Sequence, residues 1–311
     1  MRVATNTFPE TLVQQVQLLS MRQTRLQTQV ATGQRIQNPE DDPAAMQRIL
    51  GLHVETASLR QYRSNLAKLE ERIHVAFDAL KSLKILLDRA GELATLADGT
   101  RSPRELRTYA TEVTQLVQQA VQVLNQKHRD TYLFGGTRTD QPPFALTLDA
   151  NGRVTSVVYR GNMDTAAVPI DTQVTLTVDI PGANTSGTGP LGLTADNRSG
   201  VDLLRDLIAL QDSLLAGDTQ AIAQTVRPAL LRDEAHLLTH ISNQSALIAR
   251  IQSAVSLTDR RLQALDQAVS READADLAET LVRLNQVQAA YQAALQSGAT
   301  ILRLSLLDFL R

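Results

Sequence analysis

Two imidazoles stand one turn apart in His236-Leu-Leu-Thr-His240, a spacing that puts both on one helix face, where a metal ion could use them. Only Glu234 is near in sequence, and the general-base Glu of an H-E-x-x-H arrangement is missing. The pair therefore reads as a solvated helix face, and no metal ligand is assigned. His53, His74 and His128 are isolated. Gly182-Ala-Asn-Thr-Ser-Gly187-Thr-Gly189 is glycine-rich but lacks the Lys-Ser/Thr of a phosphate loop and opens no capped helix, so it reads as a flexible connection. Asp41-Asp42 could pair for acid–base work, but beside Pro43 the better reading is a helix cap, with Asp42 at the cap and Pro43 in the first turn. Three Asn-x-Ser triplets, at Asn184, Asn197 and Asn243, match a pattern too short to use. No nucleophile–base pair can be assembled, and no cofactor is expected. An enzyme is not expected from this chain.

What remains is architecture. The chain has no cysteine, which removes disulfides, thiolate metal sites and thiol nucleophiles. A formal net charge of −2 gives no basic field for nucleic acid or an anionic membrane. No apolar run is long enough to span a bilayer, and the first residues show no apolar signal-peptide core. Aromatic residues make up only 3%, while Ala, Leu, Gln and Thr dominate, a composition suited to long packed helices.

Helical periodicity opens and closes the sequence. Leu12, Val16, Leu19, Leu26 and Val30 follow alternating steps of three and four, with Gln23 as a polar interruption. Gly33 stops that helix. A second helix over residues 43–97 would run about 80 Å, and Leu59, Tyr62, Leu66, Leu69, Ile73, Ala76, Leu80, Leu83 and Leu87 fill its a and d positions without a polar break. Ser102-Pro103 with Glu105 predicts a capping box for a third helix. Ile241, Ile248, Ile251, Val255, Leu262 and Leu265 hold a heptad frame in which Gln244 and Thr258 are polar. Pro228, inside a helical stretch, predicts a kink or restart. At the end stand Leu277, Leu281, Leu284, Tyr291, Leu295, Leu302, Leu306 and Phe309, in step with Ala294 and Ile301.

Between the helical arms the period changes to two. Asn151-Gly152 between apolar residues predicts a two-residue hairpin turn, and Val174, Leu176, Val178 and Ile180 alternate as a half-buried strand. The expected fold is mainly α with an inserted small β domain, its N- and C-terminal segments forming a long antiparallel helical bundle or coiled-coil rod. Three parts are expected: residues 1–35 with 275–311 as a terminal coiled coil ordered on assembly, 36–130 with 199–274 as a helical rod, and 131–198 as a β domain dispensable for the rod. The Leu59–Leu87 and Ile241–Leu265 positions are assigned to the rod core. The terminal stripes, Leu12 to Val30 and Leu277 to Phe309, are assigned to an assembly interface, because an isolated helix of some 24 residues is marginal in water.

These segments resemble the flagellin superfamily, and within it the family of proteins that join the flagellar hook to the filament. Met1-Arg2-Val3-Ala4-Thr5, Gly33-Gln34-Arg35-Ile36 followed by Asp41-Asp42-Pro43-Ala44, and Arg89, Glu92 and Leu93 before Asp98-Gly99-Thr100 are similar to superfamily stretches. Tyr132-Leu133-Phe134-Gly135-Gly136-Thr137 with Pro142-Pro143-Phe144, and the ending Ser305-Leu306-Leu307-Asp308-Phe309-Leu310, resemble the junction family more than flagellin. The resemblance implies a secreted, extracellular protein of the bacterial flagellum, exported unfolded by the type III route. It further implies self-assembly in a ring or tube, contact with a neighbouring hook-associated protein and with flagellin, and an export chaperone at the C-terminal region. Two other readings stand beside it: a flagellin filament subunit, and a cytoplasmic coiled-coil adaptor with stable terminal helices.

Overall fold

A computed structural model describes the backbone of residues 7–309 and the side chains of residues 10–300. In chain order it contains α1 (Thr7–Thr32), α2 (Pro43–Leu96), α3 (Pro103–Leu124), nine short strands, α4 (Leu203–Ala216), α5 (Thr219–Ala221), a π-helical turn (Ile222–Val226), α6 (Arg227–Ala273) and α7 (Leu277–Phe309). The fold is mainly α with a small β insert, in agreement with the sequence.

The stops and starts follow local chemistry. Gly33 adopts φ of +72°, the left-handed conformation that ends a helix without a Cβ penalty. Asp42 Oδ1 accepts the amide of Ala45 at 3.0 Å, which makes Asp42 the cap of α2, with Pro43 behind it where a missing N–H loses nothing. Ser102 and Glu105 form the predicted capping box reciprocally: the Ser102 hydroxyl accepts from the Glu105 amide, and the Glu105 carboxylate from the Ser102 amide. Pro228 has no N–H to give the preceding turn. The helix accommodates this by widening into the π turn of Ile222–Val226 rather than by breaking.

The strands form small sheets. β1 (Lys127–His128) and β2 (Thr131–Tyr132), β3 (Phe144–Leu148) and β4 (Val154–Tyr159), and β5 (Val168–Asp171) and β6 (Val174–Leu176) are antiparallel pairs. β7 (Ala183–Asn184), β8 (Ala195–Asp196) and β9 (Val201–Asp202) make a three-stranded sheet, with β7 and β8 parallel. The β3–β4 turn is longer than predicted. Only Gly152 has positive φ, its amide bonds back to Asp149 O at 3.1 Å, and the Asp149 carboxylate takes the amides of Asn151 and Arg153. The predicted strand from Val174 also stops early, at Leu176, although Val178 and Ile180 remain buried.

The chain divides into two compact units, Met1–Ser58 with Arg260–Arg311, and Leu59–Asp259. This differs from the three parts read from the sequence. The β segment is not a separate body within the second unit. Leu133, Phe134, Phe144, Val154, Ile180 and Leu193 share one apolar core with α2, α3, α4 and α6, and Ile170, Leu176 and Val178 share another with Leu66, Leu69, Ile73 and Ile251. Polar ties reinforce this. Arg72 binds Asp179 at 2.6 Å and Thr131 at 3.1 Å, Asn65 donates to Pro169 O, and Asn125 exchanges two hydrogen bonds with the main chain of Phe144. Buried Gln211 of α4 accepts from Thr114 of α3 and donates to Val154 O of β4. Dispensability of residues 131–198 therefore does not follow from this packing.

Of the positions assigned to the rod core, Leu59, Leu66, Leu69, Ile73, Leu80, Leu83, Leu87 and Ile251 are buried, while Tyr62, Ile241, Ile248 and Val255 are half-buried. Leu262 and Leu265 are half-buried and belong to the first unit. Within the second unit α2 and α6 run antiparallel, as the ion pairs Arg63–Asp259 at 2.9 Å and Lys84–Glu234 at 3.0 Å show.

Candidate assembly surface

In the first unit two chain breaks face each other. The linker after α1 and the one between α6 and α7 meet as an antiparallel bridge of Gln34 with Asp274. Ala275 N donates to Gly33 O at 2.8 Å, and Arg35 N to Ala273 O at 2.6 Å. Below them Ile36, Ala45, Ile49 and Ala273 form a small buried cluster. Arg48 holds Glu272 through two hydrogen bonds of 3.2 and 2.8 Å, and this partner keeps the Glu272 carboxyl below its usual range. Asp41 is likewise lowered, first by the amides of Gln37 and Asn38 and then by Arg25 at 2.8 Å. Asp41 and Asp42 are thus structural, one ordering the linker and the other capping α2. On the far side Asp276 accepts the amides of Ala278 and Glu279 and starts α7.

From this crossover α1 and α7 run antiparallel and pack on each other. On α1 the half-buried face is Leu12, Val16, Leu19, Gln23, Leu26 and Val30, the stripe read from the sequence. On α7 the covered face is Thr280, Leu284, Val287, Tyr291, Ala294 and Gly298. Leu284 and Tyr291 were among the assigned residues, but Leu277, Leu281 and Leu295 lie off that face and are about half exposed. The side chains of Leu302, Leu306 and Phe309, like the start Met1 to Thr5, lie outside the described residues. The leucine stripe and the stripe that meets α1 are therefore different faces of α7. The frame 280, 284, 287, 291, 294, 298 was present in the sequence, but Thr, Ala and Gly at three of its positions hid it.

Those small residues are what bring the helices close. A Cβ on Gly298 would stand 2.6 Å from Leu12 Cδ2, and an apolar groove of about 330 Å³ opens where Leu12, Val13 and Val16 face Ala294, Gly298 and Ala299. Gly298→Val is expected to push α1 off α7 and to speed amide exchange at least tenfold over residues 10–30, with α3 unchanged. The check is hydrogen exchange on the full chain. Equal protection in the two proteins would show that the pair does not depend on this close approach.

Outside the paired faces the helices leave large apolar side chains in solvent: Val13, Leu18 and Met21 on α1, and Leu277, Leu281, Val282 and Leu295 on α7. Scattered exposed apolar residues are ordinary, but seven large ones on two adjacent helices make this pair the candidate for a partner contact.

Residues 3–139 match the family described as the bacterial flagellin N-terminal helical region. Over those residues the chain is similar to flagellins. It is 23% identical over 293 residues to the flagellar hook-associated protein 3 of Escherichia coli K12, covering 89% of this chain and 90% of that protein. A flagellar hook-associated protein from Vibrio parahaemolyticus has a similar structure, with a TM-score of 0.64 at 19% identity, covering 75% of this chain and all of the other. The FlgL structure from Bacillus cereus superposes with a TM-score of 0.55 at 14% identity, over 71% of this chain and 99% of its own. In this chain the pair of terminal segments is the candidate site, and no described helix is long and apolar enough to cross a membrane.

The remaining candidates from the sequence have structural places. His236 and His240 do not form a solvated face: they are 9% and 4% exposed, packed against the β segment. The Gly182 to Gly189 run is ordered through Asn184, which is fully buried and donates to Thr188 O and Pro190 O. Among the described residues no group of three or more His, Cys, Asp or Glu side chains could hold a metal ion.

Proposed function

We propose that this chain is a structural subunit of the bacterial flagellum, placed at the hook–filament junction, where it adapts one packing to the other and supports flagellin assembly. The observation behind this is the pair α1 and α7, which cover one stripe mutually and leave a second apolar face uncovered. Residues Val13, Leu18, Met21, Leu277, Leu281, Val282 and Leu295 then contact neighbouring copies, a hook-associated neighbour or flagellin. Similarity to hook-associated protein 3 over nine-tenths of its length supports the junction over the filament body. On the same reading the chain is secreted through the flagellar export route, with a cytoplasmic chaperone holding its C-terminal helical region beforehand.

The test is complementation of a strain lacking this protein with the double variant Leu281→Asp, Leu295→Asp. Because both side chains are about half exposed, the melting temperature is expected to stay within a few degrees of wild type. Motility is expected to be lost, with hooks lacking filaments and flagellin released into the medium. The variant must itself be found in the medium, so that failed export is not read as failed packing. Motile, filamented cells would refute the assembly role. Wild-type protein that polymerises alone into long filaments would instead assign it as a flagellin.

A further inference from the structure

α6 presents a buried polar face to the rest of the second unit: Asp233, His236, His240 and Gln244, spaced by three, four and four residues. His236 Nε2 lies 2.7 Å and His240 Nε2 3.1 Å from the main-chain oxygen of Gly192, and the two nitrogens are 3.2 Å apart. One carbonyl thus receives two imidazoles. The segment bearing it is preformed: Asp196, with a fully buried side chain, accepts the Gly192 amide at 3.1 Å and is clamped by the Arg198 guanidinium at 2.7 and 3.0 Å.

We propose that the Gly192 carbonyl and the His236–His240 pair form an acid-released latch, by which proton uptake frees the segment 183–196 from α6 while the helices of the unit stay packed. A charged imidazole here needs water or a free counter-charge. From the β segment the facing charge is Asp196, already committed to Arg198 and the Gly192 amide. From α6 itself comes the neighbouring imidazole, while Lys84 of α2 is engaged with Asp88 and Glu234. Burial first, and the nearby His236 second, push His240 down to about 4, outweighing the Gly192 carbonyl and Asp196, which favour the charged ring. Its folded value lies below the ordinary 6.5, so the latch is fully held above about pH 6.5 and weakens as pH falls toward 4.

Asp233 has the opposite sense and a different neighbour. It is 1% exposed with neither carboxylate oxygen hydrogen-bonded to a side chain or main-chain group of good geometry, and it faces Asp206 and Asp202 at the start of α4, with Arg205 and Arg232 beside them. Burial and then the Asp206 charge raise it to about 7. Its folded value exceeds the unfolded one, so its contribution is lost as pH rises through 7 and recovered as pH falls. Acid therefore loosens the contact of α6 with the 183–196 segment and does not loosen its contact with α4. The effect is local rather than a collapse of the unit.

Hydrogen exchange on the full chain at pH 7.5 and 5.5, corrected for intrinsic rates, tests this. Opening of residues 183–196 should increase about tenfold at the lower pH, the ratio that follows from one group of value 4 when closed and 6.5 when open. Peptides of α3 and α4 should not follow. In His240→Gln, which keeps a donor but cannot titrate, the pH effect should vanish. Overturning results are pH-independent protection of 183–196, an equal rise in α3 and α4, or an unchanged response in His240→Gln. If that variant does not fold, the wild-type exchange ratio is paired with NMR titration of the His240 imidazole. A depressed midpoint supports the latch, and one near 6.5 in the folded protein overturns it.

Discussion

Excising residues 131–198 and joining the flanks with a short linker should abolish cooperative unfolding of the Leu59–Asp259 unit. The deletion removes Leu133, Phe134, Phe144, Val154, Ile180 and Leu193 from a core shared with four helices. At about 2 kcal/mol for each large buried side chain, their loss is on the order of 10 kcal/mol, as much as the whole stability of an ordinary domain. It also strands Asn125 and Arg72, whose partners lie in the deleted segment, and takes Val154 O from Gln211. Circular dichroism should show helix retained in part, without a sharp melt in the fragment that spans α3 and α4. Terminal helices in the other unit do not supply that core, so their exchange pattern separates local from general loss. A deletion protein that melts as sharply as the wild type would mean that the helices can repack without the β segment.

Leu80→Asp should be nearly as damaging through one side chain. Leu80 is fully buried in the middle of α2, within the larger apolar cluster. Truncating a buried Leu costs about 2–5 kcal/mol, and the carboxylate left in its place has no cation within the core to meet. Together these reach at least about 4 kcal/mol, the range reserved for core disruption. Five residues on, Ile85 is 68% exposed on the same helix, and Ile85→Asp should change stability by no more than about 0.5 kcal/mol. Urea unfolding of the two variants side by side measures the contrast. Similar midpoints would mean that position 80 reaches water in solution.

The sequence alone determined the helices and their ends. Period and cap chemistry are local properties. Asp42-Pro43, Ser102 with Glu105, and Gly33 act on amides within three or four residues, so their work is readable without a fold. The unbroken a and d positions from Leu59 to Leu87 likewise announced burial, because only a core rewards that many apolar residues at one phase.

Tertiary structure decided what each buried face meets. Nothing near Gln211 in sequence says that it joins α3, α4 and β4, since Thr114 and Val154 lie 97 and 57 positions away. Nor could the His236–His240 pair be told from a solvated face, because what covers it is a carbonyl 44 residues upstream. Which face of α7 meets α1 was hidden for the same reason. Leucine spacing suggested one face, but helix pairing depends on which residues let two backbones approach, and Gly298 against Leu12 permits what a leucine there would block. The β segment looked separable since its period and turns differ from those of the helices. Its independence depended on side chains such as Phe134 and Ile180, which reach into the helical core, and a repeat pattern records only that a residue is buried, not against which element.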